Sequence, residues 1–106
     1  MANKLFGYAG KQLRINLNNK NIIEENLDKE LMKKYLGGSG YGAKILYEEL
    51  DAHIDPLGED NILYLGTSPL TNRKVPGGGS LEICFKSPLT GTWGEARVGD
   101  EFGFKM

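Results

Sequence analysis

The sequence predicts an α+β fold, and two kinds of periodicity lead to that prediction. Apolar residues alternate with polar or small ones in residues 11–17 and 80–86, which is the period of a half-buried β-strand. Between residues 28 and 51 apolar residues recur at intervals of three and four, which is the period of an amphipathic helix. Both kinds of element are therefore expected in one chain.

Length and composition limit the number of domains and the kind of partner. At 106 residues the chain forms one domain at most, and its formal net charge is −1 with both signs mixed along the sequence. This balance argues against nucleic acid or an anionic membrane as a partner. There is no apolar run of membrane-spanning length and no signal-peptide core, which predicts a cytoplasmic protein. The single cysteine, Cys84, excludes an internal disulfide and a cysteine-cluster metal site within the chain.

The first elements along the chain are expected to be a β-hairpin and a short helix. Residues 11–17 predict a strand with its leucines and isoleucine on one face, 18–21 a turn, and 22–25 the returning strand. Asp28 is a suitable N-cap for a helix that runs through Leu36.

A glycine-rich block at 37–40 is expected to end that helix, and a second helix is expected from about Tyr41 to Asp51. The block precedes a helix, as a phosphate loop does, but it lacks the lysine and hydroxyl of a Walker loop and follows a helix instead of a strand. A helix–helix turn is therefore the favoured interpretation. The second helix places Ala43, Leu46, Tyr47 and Leu50 on its apolar stripe, and Lys44, Glu48 and Glu49 on its solvated side.

The second half of the chain predicts three further strands and a final helical turn. Residues 61–66 are short and mostly apolar, as in a strand buried on both faces. The strand at 80–86 is followed by a turn at 87–91 and a strand at 92–98, and residues 100–106 have the character of the opening turn of a helix. The apolar face of the strand at 80–86 is expected to carry Leu81, Ile83 and Phe85.

The strongest candidate site begins at the three consecutive glycines Gly77, Gly78 and Gly79. Glycines allow the backbone to turn freely and to lie close to a bound group. Two strands bracketed by such turns can display unpaired backbone groups on one rim, which suits a phosphate or a polar cofactor. Lys86 and Arg97 are near in sequence; a purely structural turn is the alternative.

Three other residue groups are expected to have no catalytic role. His53 has no nucleophile placed beside it and is expected at the surface. Cys84 lies in the middle of a strand, which favours a packed thiol over a nucleophile or a ligand. Glu48 and Glu49 belong to the solvated side of a helix.

Four segments carry a resemblance to a known family. They are LRINL, YLGGSGYGAKILYEEL, DPLGEDNILYLGTSPLT, and GGGSLEICFKSPLTGTWGEARVG followed by EFG. In this order they resemble the N-terminal domain of the aldehyde ferredoxin oxidoreductases, which are tungsten-pterin enzymes that oxidise aldehydes to carboxylic acids. The resemblance covers nearly the whole chain.

The resemblance implies two packed β-sheets with a few outer helices, forming a base on which a tungsten or molybdenum bis-pterin lies. The implied cofactor-binding residues are Gly77, Gly78, Gly79, Ser80, Arg97 and Gly99. Ser80 stands where the family has an arginine that contacts the cofactor. Arg97 stands where an asparagine offers its backbone carbonyl to a magnesium ion that bridges the pterin phosphates.

Some residues depart from the family pattern. Ser80 cannot make the bidentate phosphate contact of an arginine, whereas Arg97 keeps the carbonyl and adds a guanidinium. Asp100 adds a carboxylate after Gly99, where the family has a second glycine. The cysteines that hold the family's 4Fe-4S cluster lie far beyond this length, and Cys84 matches none of them.

The resulting hypothesis is a single domain, residues 1–106, which cradles the cofactor, is incomplete at its C-terminal end and is inactive in isolation. The remainder of the enzyme, or a separate cluster-bearing subunit, would pass electrons to ferredoxin. One alternative is a degenerate or split non-catalytic module that docks with a separate subunit, and another is a small-anion-binding protein without a metal. Phe102, Phe104 and Met106 form an apolar patch through which copies of the chain could associate.

Overall fold

A computed structural model describes residues 6–71, 75–99 and 101–106. In this part of the chain β1 and β2 form a two-stranded antiparallel sheet, and β3, β4 and β5 form a three-stranded antiparallel sheet in that order. This architecture confirms the predicted α+β class with two sheets. The elements are β1 Lys11–Asn16, β2 Asn21–Asn26, α1 Lys29–Tyr35, α2 Gly38–Glu49, β3 Tyr64–Gly66, β4 Leu81–Lys86, β5 Trp93–Val98 and α3 Phe102–Lys105.

Helix α2 is the centre of the packing, because it contacts β3, β4 and α1. The helix lies close to the sheet at Gly42. A Cβ atom at this position would lie 2.6 Å from the Tyr64 ring and 3.0 Å from the Cys84 Sγ atom. The absence of a side chain therefore sets the distance between helix and sheet. The buried apolar residues of the described part are Met32, Tyr41, Leu46, Leu81 and Cys84.

The connection between the two helices is tighter than the sequence predicts. The Asp28 side chain caps α1 as expected, accepting a hydrogen bond from the Glu30 N–H at 2.8 Å. However, α2 begins at Gly38 and not near Tyr41, so the glycine-rich block forms its first turn. The reason is the close approach of the loop after β3, whose Thr67 carbonyl accepts a hydrogen bond from the Gly38 N–H at 2.9 Å.

The β1–β2 hairpin turns its polar face toward α2. Gln12 Oε1 accepts a hydrogen bond from the Tyr41 hydroxyl at 2.9 Å. The Arg14 guanidinium donates to both carboxylate oxygens of Glu49, at 2.7 and 2.6 Å, and to Glu25 at 2.8 Å. A bidentate arginine–carboxylate pair fixes orientation as well as distance, so the hairpin is joined to the helix by polar contacts.

The opposite face of the hairpin is apolar and exposed. Leu13, Ile15 and Ile22 are 61%, 57% and 63% exposed, although their alternation correctly predicts the strands. Period-2 alternation shows that the faces differ but does not show which of them packs against α2.

Two other expectations about burial are wrong. On α2, Tyr47 is 90% exposed, because the buried stripe runs along Gly38, Tyr41, Gly42 and Leu46 instead. The expected strand at 61–66 is reduced to Tyr64–Gly66, with Leu65 on an exposed face. Asn61, the first residue of the expected strand, is held in a loop by the hydrogen bonds of its own side chain. These hydrogen bonds prevent the strand from starting earlier than Tyr64.

Strand β4 packs against α2 with the face opposite to the expected one. Glu82 and Cys84 are buried on the side of the helix, whereas Ile83 and Phe85 are only half-buried. Leu81 is 1% exposed. The small thiol fits beside Gly42, and the larger apolar side chains would not.

The last predicted features are confirmed. Residues 87–91 form a turn closed by hydrogen bonds from the Ser87 N–H to Thr92 O and from the Gly91 N–H to Ser87 O. Gly91 has φ +69°, where glycine is favoured. The final residues form the single helical turn α3. In the described part of the chain, no helix is both long enough and apolar enough to cross a bilayer.

Candidate functional site

The register of the three-stranded sheet brings Ser80, Arg97 and Gly99 to one end of the sheet, and Gly77, Gly78 and Gly79 precede β4 at that end. Leu81 pairs with Val98, and Glu82 pairs with Arg97. Ser80 directly precedes the start of β4, and Gly99 directly follows the end of β5. Residues 77–80 and 97–99 together are called the sheet rim below. The cross-strand pairing thus places Ser80, Arg97 and Gly99, which the sequence pattern singled out, at the same end of the sheet.

The glycines of the sheet rim differ in what surrounds them. Gly77 is exposed with φ +78°, and a Cβ atom built on it would meet nothing within 4 Å. Gly99 is also exposed, and a Cβ atom built there would likewise meet nothing within 4 Å. At Gly78 a Cβ would lie 2.8 Å from the Leu70 carbonyl oxygen and 3.1 Å from that of Val75. Gly78 therefore serves a tight turn, whereas Gly77 and Gly99 leave backbone open to a ligand. Gly79 and Ser80 are half-buried and lead into β4.

An ion pair between Glu82 and Arg97 lies at the sheet rim, on the face that packs against α2. The Arg97 Nε and Glu82 Oε1 atoms are 2.7 Å apart; the glutamate side chain is 10% exposed and the arginine side chain 66%. A Cβ at Gly38 would lie 3.2 Å from Glu82 Cγ, so the carboxylate is beside the first turn of α2. Negative charge is favoured at the N-terminus of a helix.

Glu82 was not among the residues that the sequence singled out. Its Oε2 atom is buried and has no hydrogen-bond partner among the described residues. Leaving such a group unpaired costs about 1–3 kcal/mol or more. The sequence signal that could have identified Glu82 is the turn at 87–91, because a hairpin built on that turn places Glu82 opposite Arg97.

Lys86 does not belong to the sheet rim, although it is near the glycines in sequence. It lies at the other end of β4, opposite Trp93. Its Nζ atom donates to the carbonyls of Ala52 and Ile54 at 2.6 and 3.0 Å. Lys86 therefore ties the loop after α2 to the sheet, and it offers no cation to a ligand at the rim.

Asn61 completes this structural connection. Its Nδ2 atom donates to the carbonyls of Pro56 and Lys86 at 2.8 and 3.1 Å, and its Oδ1 atom accepts from the Ile62 N–H at 2.9 Å. The DPL and KSPLTG segments are thus joined by side chains that hold loops. The structural role of these two segments explains why they are part of the sequence pattern that carries the family resemblance.

The remaining candidates behave as structural residues. Cys84 is fully buried, and burial raises the pKa of its thiol to about 11, which confirms a packed thiol. His53 is exposed, as expected. Within residues 6–71, 75–99 and 101–106 no group of three or more histidine, cysteine, aspartate or glutamate side chains is placed to hold a metal ion. Asp100 lies outside the described residues.

An open apolar hollow of about 610 Å³ adjoins the sheet rim at Gly99. Phe102 and Met106, which line it, are 59% and 61% exposed. The hollow therefore continues the rim as an apolar surface next to open backbone. Its lining residues are Val98, Gly99, Glu101, Phe102, Lys105 and Met106.

Comparison with known proteins identifies the family. The sequence profile described as aldehyde ferredoxin oxidoreductase, N-terminal domain, matches residues 12–106. The chain belongs to this family. It is 43% identical over 102 residues to a tungsten-containing aldehyde ferredoxin oxidoreductase of Pyrococcus horikoshii, with 96% of the chain and 17% of that enzyme covered. The resemblance found in the sequence is confirmed.

A second relative has a different named substrate. The WOR-like subunit of an aliphatic sulfonate oxidoreductase of Pyrococcus furiosus is 33% identical over 105 residues, covering 96% of the chain and 16% of that protein. Relatives named for aldehydes and for sulfonates thus share this domain. Similarity in this domain does not identify a substrate.

A solved structure shows the same fold. The active site complex BamBC of benzoyl coenzyme A reductase, with 1,5-dienoyl-CoA, matches with a TM-score of 0.83 and 24% identity. The match covers 87% of this chain and 14% of the other. The chain therefore spans about one sixth of the length of these curated relatives and about one seventh of the length of this solved structure.

Proposed function

We propose that the chain cradles the phosphate-bearing side of a tungsten bis-pterin cofactor in an oxidoreductase that converts aldehydes to carboxylic acids. Membership of the aldehyde ferredoxin oxidoreductase family supports this proposal, together with tungsten in the names of its relatives. The observation that carries it is the two-thirds exposed Arg97 side chain near the end of β5, the strand that leads into the open backbone of Gly99. A cation next to accessible backbone groups suits a phosphate.

The residues of the sheet rim fit such a group. The side chain of Arg97 is two-thirds exposed while its Nε atom remains paired with Glu82. In the described sheet β5 is an edge strand, so about half of its backbone carbonyls point away from β4. A magnesium contact from the Arg97 carbonyl is proposed on the family pattern. Ser80 adds a hydroxyl where the family has an arginine.

The cofactor supplies the two-electron redox chemistry when it is bound, and this domain supplies position and electrostatics. Arg97 orients a phosphate, the glycines let the backbone lie close to it, and Ser80 offers a hydrogen bond. We predict that the described domain catalyses nothing alone. A remainder of the enzyme, or a separate subunit with the 4Fe-4S cluster, would complete the site and pass electrons to ferredoxin.

Titration of the ¹⁵N-labelled chain with pyrophosphate, a mimic of the pterin phosphates, tests the proposed site. Amide shifts are expected at residues 77–80 and 97–99. Arg97→Gln should weaken binding about 10-fold, because a charge-assisted hydrogen bond is lost. The control Lys11→Gln removes the same charge on the β1–β2 hairpin, where Lys11 pairs with Glu24, and should change affinity by less than about twofold.

The opposite result would be a folded chain whose rim amides do not respond, or equal loss of affinity in the two variants. Either result contradicts the proposed cofactor contact and leaves the docking module as the better hypothesis.

A further inference from the structure

We infer that Glu82 is a positioning residue for Arg97, holding its guanidinium at the sheet rim so that the terminal N–H groups receive a phosphate. This inference rests on the proposed function, because it concerns the same anionic group. It assigns a role to a residue that neither the sequence pattern nor the family resemblance singled out.

Glu82 is fixed by its surroundings. Its side chain is nine-tenths buried on the face of β4 that packs against α2. Gly38 lies against its Cγ atom, and Gly66 and Arg97 are its partners on the two neighbouring strands. Contacts from a helix and two strands leave the carboxylate little freedom.

Arg97 needs such a support. Its side chain is long, rich in rotamers and two-thirds exposed on an edge strand. A free arginine would lose this freedom on binding a ligand, which lowers affinity. The ion pair engages Nε through Glu82 Oε1 at 2.7 Å. Four of the five guanidinium N–H donors are on the terminal nitrogens, and these match phosphate oxygens in pairs.

Stability alone does not explain a glutamate at position 82. Its Oε2 atom is buried with no hydrogen-bond partner among the described residues. An apolar residue at this strand position would avoid an unpaired carboxylate oxygen. The carboxylate is explained if its function is to orient Arg97, and the first turn of α2 offsets part of its charge.

Positioning and simple electrostatics predict effects of opposite sign. Glu82 is a negative charge near a proposed anion site, so its removal should tighten anion binding if only charge matters. If Glu82 positions Arg97, its removal should weaken binding although a repulsive charge has gone. The sign of the change therefore separates the two explanations.

The experiment compares three variants of Glu82 by calorimetric titration with pyrophosphate. Glu82→Gln keeps an oxygen acceptor at the same distance, and binding should stay within about twofold of the wild type. Glu82→Leu removes the acceptor at similar volume, and Glu82→Asp keeps the charge but withdraws it by one methylene. Both should weaken binding about 5-fold.

The Arg97 Nε–Hε resonance gives a readout that does not depend on the ligand. It should be protected from solvent exchange in the wild type and in Glu82→Gln, and should exchange faster in the leucine and aspartate variants. The aspartate variant keeps the test decisive if the leucine variant does not fold.

The positioning role is overturned if the wild type binds pyrophosphate and the leucine and aspartate variants bind it equally well or more tightly. This result leaves the proposed function intact. A wild type that binds no pyrophosphate, while the Arg97 resonance is protected, overturns the proposed anion site itself and the positioning role with it.

Discussion

The clearest test of the fold is removal of the Asn61 side chain. Its amide joins two segments that are far apart in sequence, by donating to the carbonyls of Pro56 at 2.8 Å and Lys86 at 3.1 Å. Each bond contributes about 0.5–1.5 kcal/mol net, and Asn61→Ala also leaves half-buried acceptors unpaired. We therefore expect a loss of about 2–3 kcal/mol in the free energy of unfolding.

Urea unfolding followed by circular dichroism measures this loss. The matched control is Asn18→Ala in the exposed hairpin turn, which should change the free energy of unfolding by less than about 0.5 kcal/mol. Asn61→Asp keeps the acceptor but removes both donors, so it should fall close to the alanine variant. A loss of under about 0.5 kcal/mol for Asn61→Ala would refute the view that this side chain joins the two segments.

Three further predictions concern packing, thiol reactivity and pH. Gly42→Ala places a methyl group 2.6 Å from a tyrosine ring of β3 and should destabilise the chain by about 1–2 kcal/mol in urea, despite the better helix propensity of alanine. Cys84, fully buried with its pKa raised to about 11, should react with a thiol reagent only after denaturant is added; rapid labelling of the native chain would be inconsistent with this burial. Arg14 lowers the pKa of Glu25 and Glu49 below the usual 4.5, so stability present above about pH 4.5 should be lost as the pH falls through the lower folded pKa values. Arg14→Met should flatten this acid-side slope, and an unchanged slope would contradict the role given to the ion pairs.

Local signals in the sequence predicted local structure well. Asp28 as an N-cap and the turns at 18–21 and 87–91 depend on neighbouring residues only, and the structure confirms them. Short-range patterns of this kind carry their cause within a few residues.

The choice of packing face could not be predicted, because it depends on distant residues. Ile83 and Phe85 alternate correctly, yet the face with Glu82 and Cys84 packs on α2, where Gly42 leaves room for a small thiol. The role of Glu82 has the same origin, since only cross-strand pairing with Arg97 brings the two side chains together.

The hairpin shows the same dependence on the rest of the molecule. Leu13, Ile15 and Ile22 form a regular apolar face that stays exposed in the described domain, while Arg14 contacts the helix. The alternation is the pattern of a hairpin with one buried face. Here tertiary contacts with α2 selected the polar face.

The central claim is that this domain contributes to holding a metal–pterin cofactor at its sheet rim. The most direct measurement is the tungsten, molybdenum and pterin content of the protein purified anaerobically from its own host, with any co-purifying subunit retained. The proposal predicts about one metal ion and about two pterins per chain or per complex, with a lower content in Arg97→Gln. A folded protein, or a complete complex, that contains neither metal nor pterin would contradict the claim.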